Sequence, residues 1–175
     1  MSEKIRVLIS EEEIEKRILQ MAKDISEFYQ GEPVHLVSVL KGGVFFTCEL
    51  AKRLTVPVSI DFMSVSSYGD GTNSSGVVKV IKDLDEAIEG KHVLVVEDIV
   101  DSGRTLSYLL DNLKSRKQKS LHLCTLLDKP ERRVTDVHVD YTGFEIPDEF
   151  VVGYGLDYMQ HYRNLPYIGV VELDA

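Results

Sequence analysis

This chain is short of cysteine, of positive charge and of long apolar runs, and each shortage excludes something. Its two cysteines, Cys48 and Cys124, sit in apolar stretches and give no basis for a disulfide framework. Two buried, unbonded thiols in a reduced compartment are expected. Lys and Arg number 20 against 29 Asp and Glu, a net charge of −9. General nucleic-acid binding rests on neutralising phosphates with cations, so that class is disfavoured. An anionic ligand would need local help from backbone N–H groups, a few basic side chains or a divalent cation. No apolar stretch approaches bilayer-spanning length, and the opening MSEKIRVLIS lacks a signal-peptide core, so no membrane partner and a cytoplasmic location are expected. The chain has no G-x-x-x-x-G-K-[ST], which excludes a Walker-type NTPase. Nor does any repeat or linker divide its 175 residues, so one domain, 1–175, with a substantial core is expected.

What is present reads as an α/β protein, 43% hydrophobic and 28% charged. Ser10 followed by Glu13 is a capping-box signal. Ile14, Ile18, Met21, Ile25 and Phe28 then recur at helical steps, predicting an amphipathic helix that ends near Gly31. The pattern continues with a strand at 34–40, a helix at 43–54 and a strand at 58–66. Residues 67–76 (SYGDGTNSSG) form a polar, glycine-rich loop. Strands follow at 77–82 and 92–97, then a helix at 105–114 and a strand at 121–128. Short strands at 141–145, 151–154 and 167–171 complete the chain.

Near-continuous apolar strands alternating with helices predict a mostly parallel sheet covered on both faces. Ligands bind such sheets outside the carboxyl ends of the strands. Three predicted strands end in unusual chemistry: Leu40-Lys41-Gly42-Gly43, Glu97-Asp98 and Asp128-Lys129. The run Val95-Val96-Glu97-Asp98-Ile99-Val100-Asp101-Ser102-Gly103-Arg104-Thr105-Leu106 carries the most information. A strand, a Ser-Gly-x-Thr turn and a helix build a phosphate cradle from backbone N–H groups and the positive helix end. Adjacent acids just upstream would repel a phosphate alone. They make sense for a ligand that also carries hydroxyls, a divalent cation or a developing positive charge.

These residues resemble the phosphoribosyl-diphosphate (PRPP) signature of the type I phosphoribosyltransferases. The resemblance sharpens to the hypoxanthine (hypoxanthine–guanine) branch over essentially the whole chain. Leu40-Lys41-Gly42-Gly43 resembles its pyrophosphate loop and Ser67-Tyr68 the start of its mobile loop. Lys129 stands where the branch reads the purine. Phe144-Glu145-Ile146-Pro147-Asp148 and the run Phe150 to Tyr158 resemble its C-terminal signature, with Arg163 at the family spacing. The loop 69–76 diverges from the family pattern, while the residues of the reaction match it. The implied fold is a central mostly parallel sheet flanked by helices, with a small hood from the terminal segments and a mobile loop. The implied partners are PRPP, hypoxanthine or guanine, IMP or GMP and pyrophosphate, with Mg²⁺ as cofactor and a homodimer or homotetramer as the assembly.

The resemblance implies attack of purine N9 on C1 of PRPP, through a transition state resembling an oxocarbenium ion. Glu97 and Asp98 would hold the ribose hydroxyls, favour positive charge on the ring and help bind metal; otherwise they are solvated acids at a strand end. Asp101 would exchange a proton with N7, and its other reading is an Asx-turn or N-cap. Asp101, Ser102, Gly103, Arg104 and Thr105 would cradle the 5-phosphate, although Thr105 could be only an N-cap. Lys41, Gly42 and Arg163 would complete the pyrophosphate site, and the Leu40–Lys41 peptide can be cis in this family. Asp157 would contact the metal; read alone, it is a surface or turn residue. Lys129 would donate to a 6-oxo group, Phe150 would stack on the base, Val151 would offer backbone groups and Ile99 an apolar floor. Outside the family, Phe150 and Ile99 read as core packing and Lys129 as a loop lysine. Ser67 and Tyr68 would form a lid that excludes water. A transferase for another base such as xanthine, and an RNA-binding regulator on the same fold, are the alternatives; Lys114, Arg116, Lys117 and Lys119 form the best basic patch for the second.

Overall fold

The computed structural model describes residues 3–67 and 78–173. Strands β1 (Glu3–Ile9), β2 (Val34–Val39), β3 (Val58–Ser67), β4 (Val78–Lys82), β5 (His92–Val100), β6 (Ser120–Asp128), β7 (Tyr141–Glu145), β8 (Val151–Val152) and β9 (Ile168–Leu173) form two sheets. The larger has the order β4-β3-β2-β5-β6-β7, parallel throughout except for the antiparallel β3–β4 pair. The smaller, β1-β9-β8, is antiparallel and joins the two ends of the chain.

Helices α1 (Glu11–Tyr29) and α2 (Val44–Arg53) cover one face of the large sheet, and α3 (Arg104–Lys114) covers the other. The central strand explains why the apolar runs scarcely alternate: Leu94 and Val96 pack toward α1 and α2, while Val93 and Val95 pack toward α3. The capping box forms as expected. The Glu13 N–H donates to Ser10 Oγ at 3.2 Å, and the Ser10 N–H donates to Glu13 Oε2 at 2.8 Å. Gln30 and Gly31 then turn left-handed and end α1.

Several boundaries and burials differ from expectation. Strand β5 runs on to Val100, so Glu97 and Asp98 lie within it, opposite Thr125 and its neighbours on β6. Phe28 is 52% exposed and Tyr29 is buried in its place, because a step of four from Ile25 falls nearer the inward stripe. Cys48 is exposed on α2 and only Cys124 is buried, since the buried stripe of that short helix is Phe46, Thr47 and Leu50. No periodicity signal announced β1, whose outer positions are charged and whose partner β9 lies at the far end of the chain. The loop 68–76 and Val77 lie outside the described residues. Among those described, no helix is long and apolar enough to cross a membrane.

Candidate active site

Parallel register brings the ends of β2, β5 and β6 to one edge of the sheet. Ser38 pairs with Val96, and Val100 pairs with Asp128. The three unusual strand ends are therefore neighbours in space. The first loop follows β2 through a cis Leu40–Lys41 peptide. It turns so tightly against β5 that a Cβ on Gly42 would lie 1.9 Å from Asp98 Oδ2. A second segment closes on the loop from outside: a Cβ on Gly155, at φ +101°, would lie 2.0 Å from the Gly42 carbonyl oxygen. Glycine is the residue that permits both approaches.

Charged groups gather around this contact. Arg163 donates to the Gly155 carbonyl at 2.6 Å and lies 3.2 Å from an Asp157 oxygen. Gln160 Oε1 accepts from Lys41 Nζ and from Arg163, each at 3.3 Å, while the Gln160 N–H donates to Asp157 at 2.9 Å. Lys41, Gly42, Asp98, Asp157 and Arg163 thus come together, with Gly155 from the C-terminal run and with Gln160, which carried no signal in the sequence.

The acid pair is unusual electrostatically. Glu97 and Asp98 keep some contact with solvent but are packed round by protein. Burial first, and then the Asp98 carboxylate, push the Glu97 carboxyl well above the ordinary carboxylate range. Burial raises Asp98 as well, against the Ile99 N–H at 2.9 Å and the Arg163 guanidinium, which favour its charged form. Two adjacent, half-buried carboxylates destabilise a protein unless something cationic meets them. Among the described residues, no three His, Cys, Asp or Glu side chains cluster to hold a metal by themselves. Hard oxygen donors in such small number fit a cation that takes its remaining ligands from water and substrate phosphates, as Mg²⁺ does.

Beyond β5 the chain forms the expected cradle. Gly103, at φ +83°, is the N-cap of α3, with no side chain capping the helix. This removes the N-cap reading of Thr105, which lies inside the first turn; glycine supplies the left-handed corner that threonine resists. With Gly103 as the N-cap, Asp101 is not the cap either; its side chain accepts from Arg132 Nε at 3.0 Å in an ion pair across the loop. The first turn points the positive end of the helix dipole toward an anion. The Arg104 N–H reaches Ser102 Oγ at 3.4 Å. Segment 133–137, which the sequence did not single out, clamps the loop from below. Val134 and Thr135 N–H groups donate to the Ser102 carbonyl at 3.0 and 3.1 Å, and Arg133 Nε donates to the Asp101 carbonyl at 3.3 Å. Arg133 also pairs with the buried Asp128 carboxylate at the end of β6.

On the other side of the cradle, Lys129 is 8% exposed, not a solvated loop lysine. Its N–H donates to the Val100 carbonyl at 3.0 Å, which ties it to the end of β5, and its ammonium lies 3.8 Å from Asp148. Phe150 is 54% exposed and meets Tyr158 edge-on at 5.7 Å, which removes its core-packing reading. Val151 is buried in β8, and Ile99 packs against the same core cluster as Val151. Ser67 ends β3, while Tyr68 lies outside the described residues. Three members of the basic patch are paired with acids: Lys114 with Asp111, Arg116 with Asp83 and Lys119 with Glu32.

Residues 8–159 match the model of the phosphoribosyl transferase domain. The hypoxanthine-guanine phosphoribosyltransferase of Bacillus subtilis is 52% identical over 95% of this chain and 93% of that protein. The bifunctional protein TilS/HprT of Listeria monocytogenes is 54% identical over 95% of this chain, which spans 26% of its length. A solved hypoxanthine phosphoribosyltransferase from Staphylococcus aureus superposes with a TM-score of 0.92 at 50% identity, covering 95% of this chain and 91% of that one. With its cradle, acid pair and pyrophosphate-type loop at one sheet edge, the chain belongs to the phosphoribosyltransferase family, in the hypoxanthine(-guanine) branch.

Proposed function

We propose that this chain, as a single domain over 1–175, transfers the 5-phosphoribosyl group of PRPP to N9 of hypoxanthine and of guanine. The products are IMP or GMP and pyrophosphate, and the role is purine salvage in the cytoplasm. The observation that carries the reading is the half-buried Glu97–Asp98 pair, with Asp98 packed against Gly42, on the strand that leads into the start of α3. One end of the site suits a phosphate and the other suits positive charge, as a ribose 5-phosphate developing a cation at C1 requires.

In this mechanism the N–H groups of Ser102 to Thr105 and the Ser102 and Thr105 hydroxyls hold the 5-phosphate, with Arg104 beside them. Glu97 and Asp98 accept from the ribose hydroxyls and stabilise the cationic ring electrostatically. The Gly42 backbone, Lys41 and Arg163 receive the pyrophosphate. Asp157, with Glu97 and Asp98, would hold Mg²⁺, which when bound neutralises the leaving pyrophosphate. Asp101 takes the N7 proton as N9 bonds to C1. Lys129 donates to the 6-oxo group, Phe150 stacks on the ring, Val151 offers backbone groups to its edge, and Ile99 lies beneath. Ser67 and Tyr68 begin a lid whose purpose is to keep water from the reacting carbon. Assembly as a homodimer or homotetramer belongs to the same reading and is tested by light scattering. The pairing of the basic patch with Asp83, Asp111 and Glu32 argues against the RNA-binding alternative.

The test is incubation with PRPP, Mg²⁺ and each common nucleobase in turn, with the product identified by mass spectrometry. IMP and GMP are expected. Formation of neither nucleotide would overturn the reading.

A further inference from the structure

We propose that Arg132, which belongs to none of the motifs above, is a positioning residue for Asp101, and that Asp148 anchors it. The inference rests on the proton-transfer role read for Asp101. Lys129 ends the β6 edge, and the next residues, Pro130–Arg132, form a single 3₁₀ turn in which the Arg132 N–H donates to the Lys129 carbonyl at 3.1 Å. That turn carries the guanidinium back over the sheet edge. There Nε donates to Asp101 Oδ1 at 3.0 Å, and a terminal nitrogen lies 3.6 Å from Asp148 Oδ2. The other Asp148 oxygen lies 3.8 Å from the ammonium of Lys129. Asp101, Arg132, Asp148 and Lys129 therefore form an alternating chain of charges. It runs from the candidate proton-transfer group to the candidate base-reading group.

A half-exposed aspartate has several accessible rotamers. Proton transfer needs its oxygen within roughly 2.6–3.2 Å of the nitrogen it serves. A guanidinium that holds Oδ1 leaves one oxygen for the purine and fixes its direction. The planar fork of arginine lets one side chain engage two carboxylates, which a lysine ammonium does less well.

Side-chain exposures of 50% at Arg132, 46% at Asp101 and 49% at Asp148 make the pairs worth little to stability. Loss of Arg132 should therefore be felt in catalysis and not in folding. The experiment compares Arg132→Ala, Asp101→Asn and the double variant, with hypoxanthine as substrate and melting temperature as a control. Arg132→Ala should lower kcat about tenfold, since misplacing a catalytic group by an ångström costs up to about 10²-fold. KM for PRPP should stay within about twofold. Added guanidinium ion at millimolar concentration should restore part of the loss. In the Asp101→Asn background, Arg132→Ala should cost nothing more. If Asp101→Asn lowers kcat but the two losses multiply, or Arg132→Ala leaves kcat unchanged, Arg132 does not position Asp101, and the role of Asp101 stands. If Asp101→Asn itself leaves kcat unchanged, the proton-transfer reading fails and this inference falls with it.

Discussion

Replacing Gly155 by alanine tests whether the C-terminal segment holds the pyrophosphate-type loop in place. At φ +101° an alanine is strained, at a cost of roughly 1–2 kcal/mol. Its Cβ would also lie 2.0 Å from the Gly42 carbonyl oxygen, and both sides of that clash are backbone. Forced overpacking of this kind typically costs about 1–3 kcal/mol more. The sum, about 2–5 kcal/mol, corresponds to a fall in melting temperature of roughly 10 °C for a chain of this size. Gly90 provides the control. It too has a positive φ, +73°, but a Cβ there meets nothing within 4 Å, so Gly90→Ala carries only the backbone strain, roughly 1–2 kcal/mol. Its melting temperature should fall by about 4 °C with activity intact. Gly155→Ala should also lose at least about tenfold in kcat/KM, because a displaced Gly42 no longer sits against Asp98. Calorimetry and steady-state kinetics on the two variants decide the matter. Equal melting temperatures, with full activity in Gly155→Ala, would show that the segment does not brace the loop.

Activity should vanish in excess chelator, and Asp157→Ala should shift the Mg²⁺ titration to higher concentration; an unchanged titration would show that Asp157 holds no metal. Lys129 has donors only, so adenine, with an amino group at C6, should be a very poor substrate. Lys129→Gln should narrow the hypoxanthine-to-adenine ratio of kcat/KM, chiefly by losing hypoxanthine, and an unchanged ratio would mean that Lys129 does not read the base. Thiol labelling of the native protein should modify Cys48 quickly and Cys124 only on unfolding, because burial pushes the Cys124 thiol far up. Burial and the Lys91 charge hold His35 below its ordinary value, outweighing Asp61 and Glu86, which act the other way. A group that is buried neutral and must take up a proton contributes stability above its unfolded pKa, about 6.5, that is lost as pH falls toward the folded value. Unfolding free energy should therefore drop below pH ~6.5 in the native chain more steeply than in His35→Asn. Parallel curves would remove His35 as the cause.

The parts of this protein legible in its sequence are those governed by short-range rules. The capping box at Ser10 and Glu13 and the helical spacing from Ile14 to Ile25 need only neighbours a turn away, and they formed as read. The strand–turn–helix run from Val95 to Leu106 needs only a glycine able to take a positive φ between a strand and a helix. The unbroken apolar character of 93–96 already required cover on both faces. Resemblance supplied the hood, which periodicity did not, because β1 is bound to β9 across nearly the whole chain and carries charge on its open positions.

Other features depend on contacts between residues distant in sequence, and no local pattern encodes those. Gly42 belongs to the pyrophosphate-type motif and Gly155 to the C-terminal run, but only the fold lays one on the other and sets Gly42 against Asp98. Arg132 and Arg133 belong to no motif, yet the turn after β6 sends one to Asp101 and Asp148 and the other to Asp128. Lys129 and Asp148 stand 19 positions apart and meet because parallel pairing sets the end of β6 beside that of β7. The sequence by itself determined which chemical groups are present and which local elements carry them. The tertiary structure decided which of those groups share a low-dielectric edge, and there the neighbours of a charge set both its protonation and its use.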